Sequence, residues 1–225
     1  MRDRLPFSAA ATPRIPFQDV RNMSLKRTTV IFEKPGEEHT EETLRMALDA
    51  ARERDIDTVV VSTSTGATGE KAIKIFKGSG MRLVFVTHQS GYRAAGVQLV
   101  PPETRKKLEK AGTVVTCTDV LTGGVDVGMG RQRPEVSEAQ KGGLPFIVPP
   151  VNVLVANTLR LLSQGVKVCA EVAMMAADCG AVQVGKPVIC VAGSHAGADT
   201  AMVISPSESN RMRDLRLHEI LAKPY

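Results

Sequence analysis

The chain has 225 residues, 43% of them hydrophobic, and a formal charge of +5, enough length and apolar content to bury one sizeable core in a single compact domain. Its longest apolar runs, such as "DTVVVST" and "MRLVFVT", fall far short of the roughly 20 residues that a membrane-spanning helix needs. With two tyrosines, six phenylalanines and no tryptophan, it lacks the stacking platforms that single-stranded nucleic acid uses, so neither membrane nor nucleic acid is expected as a partner and a small anionic ligand is the class left open.

Residues 1–26, with three prolines and no hydrophobic period, predict a flexible N-terminal extension ahead of a domain at 27–225. Four arginines against Asp3 and Asp19 put +2 of the net charge in the first 22 residues. Those two acids and the prolines oppose an amphipathic targeting helix; Met23 as the start is the other reading.

From Thr28 the pattern alternates short β-branched runs with amphipathic stretches, which predicts an α/β fold with a mostly parallel sheet covered on both faces. "TTVIF" (28–32) is the first expected strand. Thr40 is the expected N-cap of a helix with Glu41 and Glu42 in its first turn and Leu44, Ala47, Leu48 and Ala51 in one apolar stripe. "DTVVVST" (57–63) is the next strand, followed by a polar loop and a helix turning Ala72, Ile73 and Phe76 inward. "MRLVFVT" (81–87), a helix over "PPETRKKLEKAG" ended by Gly112, and the strand "TVVTCT" (113–118) follow. Residues 119–149, Gly-rich and carrying Arg131 and Arg133, read as a long functional or mobile loop. "PVNVLVANTLRLLSQG" predicts one helix ending at Gly165 and "VKVCAEVAMMAADCG" a second ending at Gly180. The last expected strands, "PVICVAG" and "TAMVISP", are joined by "SHAGAD".

Cys117, Cys169, Cys179 and Cys190 lie far apart on apolar segments with no zinc-ligand spacing. They read as buried thiols of a cytoplasmic protein, and no metal is expected.

Two loops carry the candidate chemistry. In "VVVSTSTGATGEKAIKIF" (59–76) an apolar strand gives way to Ser62, Thr63, Ser64, Thr65, Gly66, Thr68 and Gly69. Loops at the carboxyl ends of parallel strands line the ligand crevice, and the following helix offers unpaired N–H groups there. Glycines let such a backbone close on a phosphate, which makes the stretch either a phosphate nest or a plain helix cap. Gly66, Gly69 and Lys71 have the wrong spacing for a Walker loop, and there is no dinucleotide fingerprint. In "VICVAGSHAGADTAMVI" (188–204), Gly193, Ser194, Gly197 and Asp199 form a second small-residue loop. It either converges on the same ligand or is a strand connection whose turn Asp199 holds.

Paired, these two stretches resemble the C-terminal domain of pyruvate kinase, whose first loop holds the phosphate of a sugar-phosphate effector. "EKPGEEHTEETLRMALDAA", "VPPETRKKLEKAG", "VKVCAEVAMMAADCGAV" and "GADTAMVI" are similar to stand-alone pyruvate kinase C-terminal-like proteins of archaea and other microbes, over about Leu25 to the C-terminus. The resemblance implies a three-layer α/β/α sandwich and flavin mononucleotide (FMN) binding. By position it implies Thr63, Ser64, Thr65, Gly66 and Thr68 around the phosphate, and Gly193, Ser194, Gly197, Ala198 and Asp199 along the ribityl chain or ring. Segment 121–149 departs from the likeness.

Lys34, His88 and Glu171 (with Lys167) are the candidate catalytic side chains, as acid–base groups or, for Lys167 and Glu171, as a structural ion pair. No nucleophilic triad can be assembled from these positions, so redox chemistry would come from a cofactor. The expected function is binding of a phosphorylated small molecule, FMN by resemblance. A flavin-dependent or phosphorylated-substrate enzyme and a sugar-phosphate-sensing regulatory module are the alternatives, and a homo-oligomer is left open. The chain is too short to hold pyruvate kinase's catalytic barrel, about 250 residues by itself.

Overall fold

The computed structural model describes residues 24–125, 128 and 149–225; most of the expected N-terminal extension, and Arg131 and Arg133 of the expected loop, lie outside these residues. Strands β1 (Val30–Phe32), β2 (Thr58–Ser62), β3 (Arg82–Thr87), β4 (Thr113–Thr116), β5 (Val188–Ala192), β6 (Thr200–Ser205) and β7 (Arg216–Pro224) form one sheet in the order β1-β7-β6-β5-β2-β3-β4. All neighbours are parallel except β6, which runs against both β5 and β7. Val59, Val60 and Val61 of β2 are fully buried, as expected of a central strand whose two faces are both covered and whose residues therefore need not alternate.

Helices α1 (Thr40–Glu53), α2 (Ala67–Ile75) and α3 (Pro102–Ala111) cover one face. Leu44, Ala47, Leu48 and Ala51 of α1 pack there with Ala72, Phe76, Leu108 and the Val59, Val61 and Phe85 side of the sheet. The other face is closed by α5 (Gln164–Asp178), whose Val166, Cys169, Val172, Ala173 and Ala176 meet Val60, Val84, Val86 and Cys190. Helix α4 (Val151–Arg160) packs outside it through Ala156 against Met174 and Leu121. The molecule is a three-layer α/β/α sandwich, and no described helix is long and apolar enough to cross a membrane.

Four expectations need correction. The helix read as running to Gly165 ends at Arg160. Ser163, extended at φ −179°, accepts a hydrogen bond from the Val166 amide at 3.1 Å and starts α5 instead, so a local cap wins over the apolar run through Leu161 and Leu162. Gly165 then serves close packing: a Cβ there would lie 2.0 Å from Thr200 Oγ1. Thr40 does not cap α1 through its side chain, because its hydroxyl donates to the Glu37 carbonyl at 2.6 Å and accepts from the Ala198 amide at 3.0 Å. Strand β7 was not expected at all. Its register against β6 shifts twice, at Ala201/Met202 and Val203/Ile204, and each bulge breaks the two-residue alternation by which a strand is recognised. The cysteines are all free, but only Cys169 and Cys190 are buried; Cys117 is half-buried and Cys179 exposed because it falls beyond the last turn of α5.

Candidate functional site

Strands β2 and β5 are parallel neighbours, paired through Val59–Ile189, Val60–Cys190 and Val61–Val191, so the loops leaving their carboxyl ends emerge side by side. From β2 the sheet grows one way through β3 and β4, and from β5 the other way through β6 and β7. Ligands of open α/β sheets sit at such a divide.

The first loop divides its labour. Thr63 donates its amide to the Val86 carbonyl at 2.9 Å and accepts from the Gly69 amide at 3.1 Å through its hydroxyl, so it caps α2. The first amide to return into the helix is that of Glu70, on the Gly66 carbonyl at 2.9 Å. Between them, the amides of Ser64, Thr65, Gly66, Ala67 and Thr68 have no acceptor among the described residues. Five successive donors at a helix N-terminus make an anion-binding concavity. Gly66 permits it: its φ is +96°, and a Cβ would come within 2.2 Å of Thr104 Cγ2.

The second loop is a β5–β6 hairpin. Asp199, 1% exposed, accepts from the Ser194 amide at 3.2 Å and the Thr200 hydroxyl at 2.9 Å; it holds the turn. Gly197, at φ +71°, passes so close to α1 that a Cβ would lie 2.3 Å from Thr40 Oγ1.

Both loops open on one cavity of about 860 Å³, within the range of small-molecule sites. Thr63, Ser64, Thr65 and Thr68 line it together with Gly193, Ser194 and Gly197. Of the candidate catalytic residues, His88 and Glu171 are in its wall. Gly66, Ala198 and Asp199 are not in the lining, and neither is Lys34, which is exposed in the turn after β1. A smaller hollow of about 570 Å³ runs along edge strand β4 beside Arg82, Arg105 and Cys179 and shares no residue with the larger one.

Two hydrogen-bonded polar pairs stand in the larger cavity. His88, directly after β3, sets Nδ1 2.8 Å from Oδ2 of Asp119, which is 2% exposed, and stacks on Tyr92 with ring centroids 3.9 Å apart. Lys167 lies 2.7 Å from Glu171, both within α5 and almost wholly buried. Oε1 of Glu171 accepts from the Leu121 and Thr122 amides, each at 2.9 Å, and from the Thr122 hydroxyl at 3.0 Å. Sequence reasoning missed Asp119, which it left in the irregular 119–149 stretch. Its place just past the end of β4 was the available signal, as His88 stands just past the end of β3. Among the described residues no group of three or more His, Cys, Asp or Glu side chains is placed to hold a metal ion.

The family model described as "Pyruvate kinase, alpha/beta domain" matches residues 41–204, which takes in both loops and both polar pairs. Among solved structures, a pyruvate kinase from Cryptosporidium parvum is similar at 15% identity and a TM-score of 0.35, over 75% of this chain and 23% of that one. The match thus spans less than a quarter of that enzyme's length.

Proposed function

The chain belongs to the pyruvate kinase alpha/beta-domain family, and from that premise we propose that it binds a phosphorylated small molecule, specifically FMN, in the cavity between the β2–α2 and β5–β6 loops. The observation that carries the reading is the run of five unpartnered amides at Ser64–Thr68 on the wall of a cavity shared with Gly193, Ser194 and Gly197. A phosphate monoester meets those donors without needing a Lys or Arg partner in the loop, since oriented N–H groups and the helix dipole favour the dianion. The cavity's volume of about 860 Å³ supports a ligand as large as a nucleotide. The nucleotide's phosphate would lie on Ser64, Thr65 and Thr68, and its polyol and ring along Gly193, Ser194 and Gly197. When bound, FMN would supply hydride or electron transfer; the chain's own residues bind and orient it. The four free thiols agree with a reducing, cytoplasmic setting.

A second reading, an enzyme acting on the bound molecule, is favoured by the His88–Asp119 pair. A buried carboxylate on one ring nitrogen fixes the imidazole and leaves the other nitrogen for proton transfer.

Calorimetric titration with FMN, and with a sugar phosphate in its place, tests the site. Thr65→Glu sets a like charge among the amides and is expected to abolish binding of either ligand, a loss of 100-fold or more, while leaving the unfolding temperature unchanged. Binding of equal strength in the variant would refute the nest. A wild-type preference for the sugar phosphate would keep the cavity and replace the ligand.

A further inference from the structure

Lys167 is 3% exposed and in the wall of the cavity, on a helix whose other buried side chains, Glu171 apart, are apolar. Its ammonium has three N–H donors, yet its one acceptor among the described residues is Oε2 of Glu171 at 2.7 Å. Glu171 is committed elsewhere: three donors from Leu121 and Thr122 hold its other oxygen, so the carboxylate is fixed and aims Nζ rather than enclosing it. Such a pair contributes little to stability, since apolar replacements of the same volume are commonly neutral or better. Its cost is recovered when a bound molecule takes the remaining donors. The two other Lys or Arg side chains that line the cavity among the described residues are differently placed. Arg160 spends Nε and one terminal nitrogen on Gln164 and Asn157, and Arg93 is exposed.

Resting on the reading of a phosphate held by residues 64–68, we propose that Lys167 anchors a second oxyanion of the same ligand. The cavity then selects phosphate monoesters that carry a carboxylate over those that do not. Placement supports the two-ended ligand. The amides begin α2, on the α1–α3 side of the sheet, whereas Lys167 projects from α5 on the opposite side. A molecule touching both lies across the carboxyl edge of the sheet with an acidic group at each end. The carbonyl edge of an isoalloxazine is a neutral version of the same acceptor.

Calorimetry on the full chain at near-neutral pH and low salt compares phosphoglycolate with ethyl phosphate, and phosphoserine with phosphoethanolamine, each pair differing by a carboxylate. The carboxylated member is expected to bind about 10- to 100-fold tighter, the range of a charge-assisted hydrogen bond. Lys167→Met alone strands the Glu171 charge and risks unfolding. The double variant Lys167→Met/Glu171→Gln keeps an acceptor for Leu121 and Thr122, and is expected to lose the preference while binding ethyl phosphate and phosphoethanolamine as before. Equal wild-type affinities within both pairs, or a preference that survives in the double variant, overturns the anchor and leaves the phosphate site standing. Failure of all four probes to bind overturns the phosphate reading and this inference with it. Binding that survives Thr65→Glu but loses its preference in the double variant retains the anchor and refutes the nest.

Discussion

Cys117 and Cys179 converge on one carbonyl, that of Met175, which the Cys117 thiol approaches at 3.9 Å and the Cys179 amide reaches at 3.3 Å. Their surroundings are opposite. Burial, and next the neighbouring Cys179 side chain, push the Cys117 thiol up to about 12, so at pH 8 it holds almost no thiolate, and thiolate is the nucleophile. Cys169 and Cys190 are wholly buried, and the same desolvation raises both thiols above their ordinary value. Cys179 is exposed. Iodoacetamide at pH 8 is therefore expected to place one adduct on the native protein, at Cys179, and four after denaturation; native labelling at Cys169 or Cys190 in peptide mass spectra would contradict this burial. None of the difference was legible in the sequence, where the four cysteines sit on equally apolar stretches. Exposure depends on Cys179 falling one residue past the end of α5, and helix ends are set by caps and packing more than by composition.

At the scale of elements, legibility followed burial. The stripe Leu44, Ala47, Leu48, Ala51 was readable because packing against one layer writes a period into the sequence, and β2, β3 and β5 because burial on both faces leaves a short unbroken apolar run. The break between α4 and α5 was not, because Leu161 and Leu162 prolong the apolar run although they are 86% and 49% exposed. Once that break is in place, Gly165 changes meaning from a helix stop to the point where α5 touches β6. Gly165→Ala brings a Cβ to 2.0 Å from Thr200 Oγ1 and 2.5 Å from Thr200 Cβ, and Thr200 is fully buried and tied to Asp199. Helix propensity favours alanine by about 1 kcal/mol, whereas overpacking against a side chain this close and this buried falls in the upper part of its range, about 2–3 kcal/mol. A net loss of about 1–2 kcal/mol is expected, hence a fall in Tm of about 2–8 °C for a chain of this length. Thermal unfolding with Tm unchanged or raised would show that α5 can back away from β6 freely.

Over the whole molecule, the site exists because loops more than 120 positions apart in the sequence leave adjacent parallel strands. Each loop was recognisable alone, as small residues at a strand end, but the adjacency of β2 and β5 is a property of strand order, to which no local pattern refers. That adjacency makes the two loops report on one event. In the free protein the amides of Ser64–Thr68 lack acceptors among the described residues, and an unbonded amide near a cavity mouth exchanges rapidly with solvent. A phosphate group alone satisfies only those donors, so inorganic phosphate at saturation is expected to slow hydrogen exchange in peptides covering 64–68 and to leave 193–197 unchanged. FMN, reaching along the cavity wall, is expected to protect both segments with the same concentration dependence, because a single bound molecule excludes water from both. Exchange read by mass spectrometry decides between a shared site and two unrelated turns. Protection of 64–68 by FMN with no change at 193–197, at concentrations that saturate the first, would mean that the hairpin only closes the sheet and that the ligand belongs to the β2–α2 loop alone.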